Sequence, residues 1–277
     1  MNSVIQLSDP HFGTELPLVA TALTRLVKSL SPDVLVLSGD ITQRARPHQF
    51  RAARTFLDGL GVSEQLVIPG NHDIPLLNLA SRIFSPYSRF RRAFGKELEP
   101  VHSSEHLLII ALNTTRRYRH VDGEVSSAQI HRVETLLKNA TSAQLRIVVT
   151  HQPVSVLQAQ DKIDLLHGHA EAIRRWSDAG ADLILGGHIH LPYLSELHVQ
   201  YPGLSRKTWA IQAGTCISSR LRHEAGNSVN LIRYEGMRDG KRHCNIERWD
   251  YQVVSNSFEQ VSVHSLVCDA SAYEQNL

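Results

Sequence analysis

Residues 66–73 read LVIPGNHD. Leu66, Val67 and Ile68 make the short apolar run of a buried strand, and Pro69-Gly70 stops it abruptly. An amide, an imidazole and a carboxylate follow in consecutive positions, Asn71, His72 and Asp73. Extended backbone alternates its side chains, so Asn71 and His72 are expected to face opposite ways. One can then face a metal ion while the other faces whatever the ion binds. The rest of the chain has to supply the remaining ligands.

Working outward, the same strand-then-ligand pattern recurs. Residues 4–8 read as a strand that runs into Asp9-Pro10-His11, a carboxylate and an imidazole two apart and so on one side of extended backbone. A capped turn is the alternative reading of that triplet. Apolar residues at helical spacing over 18–30 lead to Val34-Leu35-Val36-Leu37, a run buried on both faces, which ends in Ser38-Gly39-Asp40. Two strands joined by a helix imply a parallel βαβ unit, and ligands collect at the carboxyl ends of such strands. Residues 146–149 form another strand, ending in His151. Residues 183–185 stop at Gly186-Gly187 and deliver His188-Ile189-His190, with both imidazoles expected on one side. His167 and His169 have no such placement and read as ordinary loop and helix-start residues.

Composition sets the frame. With 277 residues, 42% hydrophobic and 20% charged, the chain can bury a substantial core. A net charge of +2 gives no support to a nucleic-acid partner, whereas 16 histidines justify the search for metal spacing. Cys216, Cys244 and Cys268 form no CxxC pair, which favours free thiols in a reducing compartment. No run approaches the roughly 18 apolar residues of a membrane span. A cytoplasmic protein is expected, with peripheral membrane contact and a homodimer left open.

Other segments are less decisive. Arg44 reads either as a solvated loop cation or as a phosphate contact. Residues 74–100 carry Arg82, Arg89, Arg91, Arg92 and Lys96 among Phe84, Tyr87, Phe90 and Phe94. That mixture suits a surface helix with inward aromatics, or a cap whose cations draw in an anionic substrate. Arg116, Arg117 and Arg119 pose the same choice. Ser126 and Gln129 make a capping box before an amphipathic helix. Residues 208–213, 228–234 and 245–251 alternate apolar and polar positions, as antiparallel strands with one wet face do. One domain over 1–254 is expected, with 255–277 a partly disordered tail.

Asp9, His11, Asp40, Asn71, His151, His188 and His190 are too many for a single zinc, which takes four ligands. They suit two ions roughly 3.5–4 Å apart sharing one carboxylate, with Asp40 the natural bridge. Mixed N/O ligation without thiolate points to Mn, Fe, Zn or Co. Two divalent ions against two carboxylates leave a charge of about +2, lowered to about +1 by a bridging hydroxide. Such a site wants an anion with a poor leaving group, and phosphate esters fit. Bridging water would attack in line, Asn71 and His72 would contact the substrate, and His72 would serve the departing oxygen.

Asp9-x-His11, Gly39-Asp40 with Arg44, Gly70-Asn71-His72-Asp73, His151 and Gly187-His188-x-His190 together resemble the calcineurin-like metallophosphoesterase superfamily over about residues 5–190. The resemblance implies a four-layer α/β/β/α sandwich of two mixed sheets. It implies one metal held by Asp9, His11, Asp40 and His190, the other by Asp40, Asn71, His151 and His188, and His72 as catalytic histidine. In layout the chain is most similar to the bacterial class III cyclic-nucleotide phosphodiesterases. It departs from many relatives in having Gln152 in place of a second histidine. Gln43 stands where protein phosphatases carry an aspartate, which argues against that activity. The expected function is hydrolysis of a small phosphodiester. The alternatives are a phospholipid or nucleotide-lipid pyrophosphate hydrolase, a nuclease, or a non-catalytic scaffold, which would be expected to have lost ligands.

Overall fold

The computed structural model describes residues 2–76, 79–222 and 225–268. Strands β1 (Asn2–Leu7), β2 (Val34–Leu37) and β3 (Glu64–Val67) run parallel. They are joined by α1 (Pro17–Leu30) and α2 (Pro47–Leu60). Each helix starts at a proline, whose missing N–H costs nothing at that position, and each ends on a left-handed residue, Ser31 and Gly61. Two short helices, α3 (Leu79–Phe84) and α4 (Ser88–Phe94), then lead to the second half of the chain.

That half contributes β4 (Val101–Ser103), β5 (Leu107–Ala111), α5 (Ser127–Lys138), β6 (Leu145–Val149), α6 (His169–Ala179), β7 (Leu183–Gly186), β8 (Tyr193–Glu196) and β9 (Trp209–Gln212). Three long strands return to the first sheet: β10 (Ser228–Arg238), β11 (Lys241–Gln252) and β12 (Ser257–Cys268). The strand orders are β12-β11-β10-β1-β2-β3 and β4-β5-β6-β7-β9-β8. Both sheets are mixed: the first is antiparallel from β12 to β1 and parallel from β1 to β3, and the second has a parallel centre, β5-β6-β7-β9, between antiparallel edge strands β4 and β8.

Three apolar cores explain the layering. Leu23, Val27, Phe50 and Leu57 pack α1 and α2 on one face of the first sheet. Val4, Val36 and Leu66 meet Ile109, Ile147 and Leu185 between the sheets. Ile130, Val133, Ile173 and Trp176 seat α5 and α6 on the outer face of the second sheet. Central strands are covered on both faces, so they read as unbroken apolar runs. This is the α/β/β/α sandwich that the motifs implied.

Two expectations need correction. Residues 208–213 form no strand with a wet face: β9 is buried throughout, and although it pairs antiparallel with β8 it runs parallel to β7 on its other side. Trp209 and Ile211 face the inter-sheet core and Ala210 faces the helices, so no face is left for water. The supposed tail contains β12, while residues 269–277 lie outside those described. A bulge explains why no stripe was visible there. Arg248 pairs with Ser262 but Trp249 with Gln260, so Val261 is an extra residue. Phe258 therefore faces the helices, whereas Leu266 and Cys268 face the inter-sheet core.

The polar tie between the sheets lies at the amino end of β7. Arg242 of β11 is buried and donates through Nε and Nη2 to Asp182, at 3.0 Å each. Arg206 Nη2 and the backbone N–H of Arg146 donate to the same carboxylate, both at 2.9 Å. Among the described residues, no helix is long and apolar enough to cross a membrane.

Candidate dinuclear metal centre

All the candidate ligands sit at the carboxyl ends of parallel strands, those of β1, β2 and β3 in one sheet and β6 and β7 in the other. The segments after β1 and β2 stay side by side, Asp9 N–H donating to Gly39 O and His11 N–H to Asp40 O, both at 3.1 Å. The backbone there is not extended. Asp9, His11, Asp40, His188 and His190 have φ of 51°, 43°, 49°, 73° and 56°. Left-handed backbone costs a non-glycine residue on the order of 1–3 kcal/mol and clusters at functional sites. Here it turns each side chain back toward one point.

This corrects the local geometry expected from strand alternation. Asn71, His72 and Asp73 form a 3-10 turn rather than an extended segment. His188 and His190 do not lie together: the His188 ring packs against His151 with centroids 5.1 Å apart, the His190 ring against His11 at 5.0 Å. The result is two ligand groups, Asp9–His11–His190 and Asp40–His151–His188. Asn71 joins the second, its Oδ1 3.2 Å from His151 Nε2. Asp40 reaches both groups, with Oδ1 3.3 Å from His151 Nε2 and Oδ2 3.7 Å from His11 Nε2. Distance alone also brackets His72 with His11 and Asp40.

The donor chemistry fits cations. His151 Nδ1–H donates to Ser38 O at 2.7 Å, and His190 Nδ1–H to Arg220 O at 2.6 Å. Each neutral ring then turns a lone pair inward, His190 Nε2 meeting Asp9 Oδ1 at 3.3 Å and His11 Nε2 at 3.0 Å. Asp9 Oδ2 accepts from Ser8 Oγ and from the His188 N–H, yet buried Oδ1 has no hydrogen-bond donor. Lone pairs converging in a dry pocket repel unless positive charge sits among them.

With protons as the only such charge, burial opposes ionisation throughout. For Asp9 the nearby His190 and His151 outweigh burial and bring the carboxyl down to about 2. Asp40 is likewise held well below the usual range, mainly by His151 and His72 against the same burial. His151 rises to about 9 despite burial because Asp40 faces it, while burial wins at His11 and takes it to about 3.

Asp73 was not singled out from the sequence, yet it organises the turn. Its carboxylate accepts from the N–H groups of Gly70, Ile41 and Thr42 at 2.9, 3.0 and 2.8 Å. Burial, with the Asp40 charge added, raises its carboxyl to about 7. His72 donates from Nδ1 to Gln43 O at 3.0 Å, leaving Nε2 toward the cavity, 4.0 Å from Asp40 Oδ2. Its backbone N–H donates to Asp40 Oδ1 at 2.8 Å. Gln152 faces away from the centre, accepting from Thr114 Oγ1 and donating to Val121 O.

The arginine clusters serve neither of their two expected roles cleanly. Arg82 donates to the carbonyls of Arg117 and Arg119, Arg117 to that of Ile83, and Arg89 to that of Ala45. Arg119 pairs with Glu124 and Asp122. Arg82 and Arg117 thus tie α3 to the 116–119 loop, while Arg89 ties α4 to the segment before α2. Phe90 is buried as expected, but Phe84 is 84% exposed. Arg44 is exposed and borders a second cleft beside His72, with Ile74, Leu76 and His120.

Arg220 and Arg222 also escaped the sequence reading. Both line the cavity that opens on Asp40, Asn71, His72, His188 and His190. The missed signal was the end of β9, a further parallel strand whose following loop had to emerge at the same edge as the others.

Gly70 makes the close approach possible. A Cβ there would collide with the backbone nitrogen and Oδ1 of Asp40. Gly70→Ala is therefore expected to displace Asp40 and lower catalytic efficiency by about 100-fold or more. Metal stoichiometry, measured by mass spectrometry alongside the kinetics, should fall too. Retained stoichiometry and rate would show that the turn can yield.

The family model for calcineurin-like phosphoesterases matches residues 3–192. The chain belongs to this family. Over 186 residues this calcineurin-like phosphoesterase is 29% identical to a probable cyclic nucleotide phosphodiesterase of Synechococcus sp., covering 63% of this chain and 64% of that protein. Over 228 residues it is 23% identical to the UDP-2,3-diacylglucosamine pyrophosphatase LpxG of Chlamydia muridarum, covering 69% and 64%. The chain thus spans 64% of the length of either curated relative. Among solved structures, it superposes on the purple acid phosphatase PPD1 of yellow lupin with a TM-score of 0.66 at 11% identity, covering 96% of this chain and 53% of that one. A dimetal phosphatase from Danio rerio gives a TM-score of 0.65 at 12% identity, covering 97% and 99%. Identities this low show a common fold.

Proposed function

We propose that this phosphoesterase hydrolyses a small phosphodiester, a cyclic nucleotide or a similar ester, with two divalent cations of the Mn, Fe, Zn or Co type. The observation that carries this reading is the pair of ligand groups meeting at Asp40, with His72 beside them. Asp9, His11, Asp40 and His190 would hold one cation, and Asp40, Asn71, His151 and His188 the other. Cations there supply Lewis-acid activation of the phosphoryl group and of the attacking water.

The protein's own groups do the rest. Ser38 O and Arg220 O fix the ring orientations of His151 and His190, so their inward nitrogens stay basic. The Asp73 carboxylate locks the turn that presents Asn71 and His72. His72, with Nδ1–H anchored by Gln43 O, directs Nε2 into the cavity and, as the doubly protonated imidazolium, gives its Nε2 proton to the departing oxygen. The family relationship supports phosphoester hydrolysis, and the Synechococcus relative's printed description supports a diester substrate.

A second reading has its own support. Apolar side chains sit exposed around the mouth, with Val121, Ile163 and Leu221 at 43, 79 and 49%. Val121 lines the cavity, and Ile163 and Leu221 adjoin residues that do. Such a rim suits an amphipathic substrate, as does the diacylglucosamine named for the Chlamydia relative.

Reconstituted protein should be assayed with bis(p-nitrophenyl) phosphate, p-nitrophenyl phosphate, a cyclic nucleotide and an acylated sugar-nucleotide pyrophosphate. The diester or cyclic nucleotide is expected to be preferred. A clear monoester preference would overturn the diesterase reading, and turnover of the acylated substrate alone would favour the second. Chelation should abolish activity and lower the melting temperature by about 5–10 °C, since cations bind the folded state alone. An unchanged melting curve and rate after metal removal would refute the centre.

A further inference from the structure

Arg220 differs from nearby Arg222 in what it leaves unused. It follows β9, and its side chain lines a cavity of about 260 Å³ together with Asp40, Asn71, His72 and both histidines after β7. Nη1 donates to Gln43 Oε1 at 3.0 Å and lies 3.2 Å from His72 Nε2. One nitrogen therefore makes both contacts. Nε and Nη2 meet no acceptor, and no carboxylate pairs with this guanidinium, among the described residues.

Arg222, two residues on, shows the contrast. Its Nη1 lies 3.0 Å from Asp161 Oδ1, and its Nη2 donates to Gln158 at 2.8 Å. Arg222 is thus paired with Asp161, while Arg220 adds a positive charge that no carboxylate pairs with among the described residues. That charge sits beside ligand groups suited to further cations, a repulsive arrangement that an incoming anion relieves. The fork of a guanidinium matches paired phosphoryl oxygens in spacing and direction.

We propose that Arg220 anchors the phosphoryl group. Its free Nε/Nη2 edge donates to phosphoryl oxygens while Nη1, held by Gln43 Oε1, stays beside the His72 ring, whose Nε2 turns to the leaving oxygen once protonated. A single side chain then sets the distance between the bound phosphorus and the histidine that serves the leaving oxygen. The ligand class is a phosphate or phosphate ester with at least one unsubstituted oxygen pair. The proposal rests on the phosphoesterase reading of this same site. The side chain is replaceable without losing the support given to His190, because that contact uses the Arg220 backbone carbonyl.

The test is calorimetric titration of inorganic phosphate into manganese-loaded protein, read without turnover. Arg220→Ala is expected to weaken phosphate binding by about 10–100-fold with manganese content unchanged. Arg220→Lys should recover only part of the loss, since an ammonium restores charge but not the fork. Phosphate affinity within about twofold of wild type in Arg220→Ala would overturn the proposal. Should that variant lose manganese, Arg220→Gln decides. Retained metal with weakened phosphate binding supports the anchor, whereas loss of metal again makes Arg220 a buttress of the centre and overturns it. Phosphate held through Arg220 by a protein that cleaves no ester would refute the proposed function and leave the anchor standing.

Discussion

His72→Ala is expected to keep both cations and to lose about 10²–10⁴-fold in kcat on a phosphodiester. The geometry separates these two effects. The imidazole is tied at Nδ1 to Gln43 O and stands 4.0 Å from Asp40 Oδ2 at its other nitrogen. The backbone N–H that supports Asp40 Oδ1 survives the substitution. Removing the ring therefore takes a proton donor from the leaving oxygen and leaves both ligand groups intact. The loss should depend on the leaving group, being smallest for a good one such as p-nitrophenolate. Metal analysis beside the kinetics distinguishes the outcomes: a missing cation would make His72 a ligand, and an unchanged rate would remove it from the chemistry.

The largest expected effect on stability lies at the opposite end of the strands. Asp182→Ala would remove the carboxylate that Arg242, 1% exposed, grips through two nitrogens, and would strip a partner from Arg206 as well. Breaking a buried pair on one side costs about 3–5 kcal/mol, because the surviving charge stays desolvated. Urea unfolding followed by circular dichroism should show that loss. Replacing Asp182 and Arg242 together with apolar residues of similar volume should recover most of it, since neither charge is then stranded. The folded fraction should keep its kcat, as β7 separates Asp182 from His188. A drop below about 1 kcal/mol in Asp182→Ala would mean that water reaches the site and screens it.

The sandwich was legible because its central strands are covered on both faces. Val34–Leu37 could hardly be anything but a buried strand, and the residues just past such runs had to gather at one edge. That is why Asp9, Asp40, His151 and the pair after Gly187 could be found without coordinates. Local direction was not legible. The separation of His188 from His190 depends on two positive φ angles, which a spacing rule for extended backbone cannot anticipate. Arg220 stayed hidden because its position follows from β9 joining the parallel row, and β9 is too short to announce its direction. The Val261 bulge hid β12 by moving its inward face halfway along the strand.

The division of the liganding side chains between two sheets has a consequence for how such a chain can be cut or evolve. The first half carries carboxylates and an amide with one imidazole among the ligands; the second carries only imidazoles. On the proposed dinuclear reading neither half alone offers a complete coordination sphere, so a break between α4 and β4 would yield two inert pieces. Activity returns only if the pieces find each other and seal their shared apolar face, which makes every turnover a report that both halves are docked.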